Sequence, residues 1–284
     1  MSSTLINISA KIDPGLQEFF TALDAVASDA GAAYFVVGAT ARDMILTLGF
    51  GIAARRLTED IDIGVHVEDW DVFNDLKNRL VATGSFAETG APQRLRYQGR
   101  IPVDLVPFGD IEESVNIIAW PPDQAIRMNV IGFQDALRAS CPVRLRESPV
   151  LDVPFATLAG LALLKIAAWL DRAEVNGKDA IDLVFIMREY LNAGNNIRLH
   201  EEHSDLLTED FDYEVASARL LGRDIAAIAS PATREHLLEI LHTETGEQQQ
   251  YRMVEAMVRA APRSNFDQHL QLLQSLQTGI SDQS

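Results

Sequence analysis

The chain has 284 residues, 47% of them hydrophobic and 23% charged. That is enough apolar material for one large domain or two ordinary ones with full cores, and it argues against a disordered chain. The net charge of −17 excludes a protein that is basic overall; residues 201–284 alone carry 6 Lys/Arg against 15 Asp/Glu, so any polyanion must bind at a local patch.

Asp13-Pro14 predicts a helix start, with a capping carboxylate followed by proline in the first turn. Leu16, Phe19, Phe20, Leu23 and Ala27 recur at helical spacing, and Gly31 can end the helix. Residues 33–37 read as a short buried strand. Gly38-Ala39-Thr40-Ala41-Arg42-Asp43 then turns into a helix expected to run to about Leu48. Free backbone N–H groups at such a start favour phosphate, and a glycine lets it approach the backbone. Thr40 could add a hydroxyl contact. Arg42 and Asp43 could equally form a structural ion pair.

After the turn Gly49-Phe50-Gly51 and the basic pair Arg55-Arg56 comes Leu57-Thr58-Glu59-Asp60-Ile61-Asp62-Ile63-Gly64-Val65. In a strand, Asp60 and Asp62 project from one face, while Ile61, Ile63 and Val65 point into a core. Adjacent carboxylates repel each other, and a divalent cation relieves that. Oxygen-only ligands suit Mg²⁺ better than Zn²⁺. The bland alternative is an edge strand with a solvated acidic face.

Asp69 can cap a helix carrying Trp70, Phe73, Leu76 and Leu80. Residues 95–97 and 101–107 around Gly99 suggest a β-hairpin. Arg94, Arg96 and Arg100 surround it and read as a solvated face. In the second hairpin strand Asp104 lies opposite Ile101, Val103 and Leu105. Within an apolar run it needs a partner if buried: a metal shared with Asp60 and Asp62, or an arginine.

Residues 115–150 hold short mixed elements with four prolines, and helices follow from Pro154. The expected fold is α+β, with domains at 1–150 and 151–284. The first helical stripe is Leu158, Leu161, Leu164 and Ala168, with Lys165 and Arg172 at its margin. Asn176-Gly177 turns into a second helix, on which Asp179 and Asp182 are surface neighbours. Further helices are expected near 212–229, 231–242, 246–260 and 265–277. Cys141 is the sole cysteine, so no internal disulfide is possible, and the six histidines form no zinc pattern. With neither a secretory signal nor a membrane span in view, a cytoplasmic protein is expected.

A phosphate-binding turn, a strand with two carboxylates and a strand with a third suit nucleotidyl transfer, where three carboxylates can hold two metal ions. The arrangement resembles the DNA polymerase β-like nucleotidyltransferase superfamily over roughly residues 15–140. It is most similar to the AbiEii-type toxins of bacterial toxin–antitoxin systems, given Thr58-Glu59 before the aspartates, Lys165, and Lys178-Asp179-x-x-Asp182. Two positions differ from the usual pattern: Ala39 follows Gly38 where Gly or Ser is common, and Ala162 stands where an aspartate often precedes the lysine.

The resemblance implies a polymerase β-like mixed sheet with flanking helices and then a helical domain. It implies two Mg²⁺ ions (or Mn²⁺) on Asp60, Asp62 and Asp104, the catalytic residues, and an NTP such as ATP on Gly38, Ala39, Thr40 and Arg42. Lys165 would pair with phosphate, and Asp182 would position it. The acceptor would be a tRNA end, a protein hydroxyl or a small molecule, and a cognate antitoxin or toxin would be the partner. Two other readings compete: a non-catalytic, antitoxin-like relative, and an Asp-x-Asp glycosyltransferase, which would leave Gly38 and Asp104 unexplained.

Overall fold

A computed structural model describes residues 5–53, 60–114, 116–122, 124–172, 177–208, 210–246, 251–260 and 265–282. Arg55-Arg56, Leu57 to Glu59 and Asn176 lie outside the described residues. The chain divides into two units, Met1–Thr157 and Leu158–Ser284.

The first unit is built on an eight-stranded mixed sheet. Its elements are β1 (Ile6–Asn7), α1 (Pro14–Ala30), β2 (Ala33–Val37), α2 (Gly38–Asp43), β3 (Ile61–His66), α3 (Trp70–Ala82), β4 (Phe86–Glu88), β5 (Arg94–Tyr97) and β6 (Ile101–Phe108). A two-stranded hairpin, β7 (Ile117–Ala119) and β8 (Arg127–Asn129), precedes α4 (Phe133–Arg138), β9 (Cys141–Glu147) and β10 (Val150–Phe155). The sheet order is β1-β9-β10-β2-β3-β6-β5-β4. β3 and β6 are parallel neighbours at its middle, and β2 lies antiparallel on the other side of β3. β10 pairs with both β9 and β2, so the sheet continues past residue 150.

Local chemistry sets these elements. The Asp13 carboxylate accepts from the Gly15 and Leu16 N–H groups, Pro14 occupies the first turn, and Gly31 closes α1 in the left-handed region. Asp69 caps α3 through the Val72 N–H. α2 continues through a π-helical turn over Met44–Gly49.

Alternation gives the sheet two distinct faces. On one, Ile61, Ile63, Val65, Val103 and Leu105 are at most 2% exposed. Phe155 and Tyr97 share this face, and α1 packs on it through the ring contacts Phe20–Phe155 and Phe19–Tyr97. The opposite face carries Phe35 and Phe108, in edge-to-face and tilted ring contact with Phe133 of α4, toward one end of the strands. Toward the other end it carries Asp62 and Asp104.

The second unit is helical: α5 (Leu158–Ala167), α6 (Trp169–Arg172), α7 (Lys178–Glu189), α8 (Asn196–Glu201), α9 (Tyr213–Ile228), α10 (Pro231–Thr245), α11 (Arg252–Ala260) and α12 (Phe266–Ser281). α9 and α12 cross at Gly222 and Gly279, where a Cβ on Gly222 would lie 2.3 Å from the Leu276 carbonyl oxygen. In its interior Asp224 accepts from the Tyr190 hydroxyl and from both Nη atoms of Arg198. No helix among the described residues is long and apolar enough to cross a membrane.

Candidate active site

The strand alternation expected for the Asp60 segment is present, and the sheet register adds what one strand cannot specify. Asp62 on β3 is the direct partner of Asp104 on parallel β6, so the two side chains stand together on one face. Asp60 immediately precedes β3. One guanidinium, that of Arg94, serves Asp104 and Asp60 together. Its Nε donates to Asp104 Oδ1 at 2.7 Å and its Nη2 to Asp104 Oδ2 at 2.6 Å. The same Nη2 lies 3.6 Å from Asp60 Oδ2.

Of the two partners named for Asp104, the structure shows the arginine. Arg94 is not the solvated cation its sequence position suggested, because the hairpin sets it directly opposite Asp104 across the β5–β6 pair. The hydrogen bonds to Asp104 hold Arg94 above the usual arginine value, with the charges of Asp104, Asp60 and Asp62 adding to the effect.

The Gly38 turn meets these carboxylates directly. Gly38 has φ +70°, and a Cβ there would lie 2.0 Å from Asp62 Oδ2. Only glycine both adopts that conformation cheaply and leaves room for the carboxylate. Next along, Thr40 is buried, and its hydroxyl donates to the Asp60 backbone carbonyl at 2.5 Å. It ties the start of α2 to the residue before β3. Arg42 is 5% exposed, and its Nε donates to Asp43 Oδ1 at 2.7 Å, the structural ion pair considered from the sequence.

In the second unit Lys165 Nζ lies 2.8 Å from Asp179 Oδ1 and 2.8 Å from Asp182 Oδ2. Burial pulls the ammonium down, but the two carboxylates outweigh it and hold it above the ordinary lysine value. Lys165 is therefore a fixed cation and not a base. Asp179 was seen in the sequence only as a neighbour of Asp182; its spacing of three along a helix was the available signal for a shared partner.

Carboxylate oxygens are donors of the kind that suit Mg²⁺ or Mn²⁺, but here a cationic guanidinium stands between Asp104 and Asp60. Among the described residues no three His, Cys, Asp or Glu side chains are gathered closely enough to hold a metal ion. Arg94 takes both Asp104 oxygens, and its Nη2 also faces Asp60.

A family model described as "Nucleotidyl transferase AbiEii toxin, Type IV TA system" matches residues 21–272. No curated protein matches the chain. Similar solved structures include the antibiotic-resistance factor ANT(2'')-Ia in solution, at 15% identity over 76% of this chain and 96% of that one, with TM-score 0.37. An apo form of CCA-adding enzyme is 14% identical over 92% of this chain and 67% of that one, with TM-score 0.32. The Thermotoga maritima CCA-adding enzyme complexed with tRNA is 11% identical over 96% and 83%, with TM-score 0.27.

Proposed function

Since the chain belongs to the AbiEii family of nucleotidyl transferase toxins of type IV toxin–antitoxin systems, we propose that it transfers a nucleoside monophosphate from an NTP to an acceptor hydroxyl with Asp60, Asp62 and Asp104 as metal ligands. The acceptor oxygen would bond to the α-phosphorus as the bond to pyrophosphate breaks, and the hydroxyl proton would be lost. The observation that carries this reading is the pairing of Asp62 with Asp104 against the Gly38 turn. Mg²⁺ bound there would make the acceptor hydroxyl more acidic and stabilise charge on the α-phosphate and pyrophosphate.

The other residues take subordinate parts. Backbone N–H groups at Gly38, Ala39 and Thr40 would hold the triphosphate at the start of α2, while the Thr40 hydroxyl positions Asp60. Arg42, buried against Asp43, serves the local fold. Lys165, oriented by Asp179 and Asp182, offers a permanent positive charge to an anionic group of the substrate. A cytoplasmic location is consistent with a single buried cysteine whose thiol is pushed up to about 11 by burial and so stays protonated. Candidate acceptors are a tRNA end, a protein hydroxyl (the antitoxin included) and a small molecule.

The test is incubation of the full chain with each α-labelled NTP, Mg²⁺ and each acceptor class, beside the Asp62→Asn variant. Asn is nearly isosteric, so the fold should persist while a ligand charge is lost. Wild-type protein should transfer label and gain thermal stability from metal and nucleotide together; the variant should lose both. Label transfer by Asp62→Asn at the wild-type rate would refute the reading.

A further inference from the structure

We propose that Arg94 and the divalent cation compete for Asp104: Arg94 is a positioning residue that holds the carboxylates together in the metal-free protein and must let go for metal to bind. The inference rests on the metal-ligand reading above. It starts from the geometry of the pair. Both Asp104 oxygens are engaged by one guanidinium, at 2.7 and 2.6 Å, a bidentate arrangement. Mg²⁺ sits about 2.1 Å from its oxygen ligands. An ion on either Asp104 oxygen would therefore stand within roughly 5 Å of the guanidinium nitrogen on that oxygen, where unlike-sized cations still repel strongly in a partly desolvated site.

The backbone decides which partner moves. Arg94 is fixed in the β5–β6 ladder. Its N–H donates to the Ala91 carbonyl at 3.1 Å, and its carbonyl accepts from the Thr89 hydroxyl at 2.9 Å. Neighbouring Leu105 donates its N–H to the Gln93 carbonyl at 2.8 Å. The strand therefore stays, and release is a rotation of the side chain. Space exists for it: the Arg94 side chain is 35% exposed, against 17% for Asp104. A triphosphate offers the displaced guanidinium another anion, so metal with nucleotide should overcome the pair more readily than metal alone.

The test is titration of metal-free full-length protein with Mn²⁺ alone, reading free Mn²⁺ by electron paramagnetic resonance, with melting in EDTA as a second readout. Arg94→Gln should bind Mn²⁺ roughly tenfold more tightly than wild type, the order of losing one charge-assisted competitor, and should melt lower in EDTA. Arg94→Lys, which keeps the charge without the fork, should fall between them and serves if Arg94→Gln does not fold. Arg96→Gln, two residues along the same strand face, should change affinity less than about twofold if the effect is contact and not net charge. Unchanged or weaker Mn²⁺ binding in folded Arg94→Gln overturns the proposal, as does an equal gain in Arg96→Gln. The Asp62→Asn variant separates the two readings. If it binds Mn²⁺ as wild type does, the metal-ligand reading fails; if it loses Mn²⁺ while Arg94→Gln matches wild type, only the role of Arg94 fails.

Discussion

Replacing Gly38 with alanine should damage both stability and activity. Two costs add in the folded protein. The first is conformational: a non-glycine residue at φ +70° costs roughly 1–2 kcal/mol. The second is steric, since the new Cβ would lie 2.0 Å from Asp62 Oδ2. The carboxylate must retreat by about 1 Å, and overpacking of this kind costs roughly 1–3 kcal/mol. A total of about 2–5 kcal/mol follows, or a melting shift of roughly 2–4 °C per kcal/mol for a unit of this size. The displaced group is a proposed metal ligand, and misplacement by about 1 Å can cost on the order of 100-fold in rate. Gly31→Ala is the control. Gly31 has φ +66°, and nothing lies within 4 Å of its would-be Cβ. It shares the conformational cost and lacks the clash. The assay pairs thermal melting with NTP label transfer for both variants. If Gly38→Ala keeps wild-type activity and loses no more stability than Gly31→Ala, the contact between the turn and Asp62 has no functional weight.

Thr40→Val should cost about 1–2 kcal/mol by leaving the Asp60 carbonyl without its hydroxyl donor, and it should lower kcat; Thr40→Ser should restore both, and a failure to restore would show that the hydroxyl is not what matters. Lys165→Met should cost about 3–5 kcal/mol, because it leaves Asp179 and Asp182 facing each other in a site where the lysine side chain is 15% exposed. Burial lowers Lys165 and the two carboxylates more than reverse this, so its folded value lies above 10.5. Its stabilisation is then complete below about pH 10.5 and lost as pH rises through the folded value. Denaturant melts of wild type and of a variant lacking all three charges (Lys165→Met with Asp179→Asn and Asp182→Asn) should therefore differ by a constant amount near neutrality and converge above that pH; a difference already changing between pH 6 and 9 would contradict the assignment.

Much of the fold was legible because its signals are local. Asp13-Pro14 with Gly31 bounded α1, Asp69 marked the start of α3, and alternation placed Ile61, Ile63 and Val65 in the core opposite Asp62. The pairing of strands is not local. Nothing in the composition of residues 141–155 announces that β9 and β10 join the sheet beside β2, so a boundary drawn at 150 separates strands that are hydrogen bonded to each other. Arg94 was legible in principle. With Gln98 and Gly99 at the hairpin turn, Tyr97 pairs with Ile101, Leu95 with Val103 and Arg94 with Asp104. Counting back from the turn would have set the arginine beside the carboxylate it neutralises. The partnership of Lys165 with Asp179 needed the packing of α5 on α7, which no spacing within one helix specifies.

Two acidic groups in a chain of net charge −17 each contain one basic residue, and the two cations differ in a way that bears on function. Lys165 is a compact charge, buried between carboxylates whose side chains are 6% and 15% exposed. Removing it would strand both acids away from water, so the trio is held as a unit. Arg94 is a third exposed and lies beside Asp60, which is 45% exposed. Water can take over its hydrogen bonds, so exchanging it for another cation costs much less. A cation that is cheap to displace suits carboxylates proposed to admit a metal ion, whereas a cation that is costly to displace suits a charge that keeps its place.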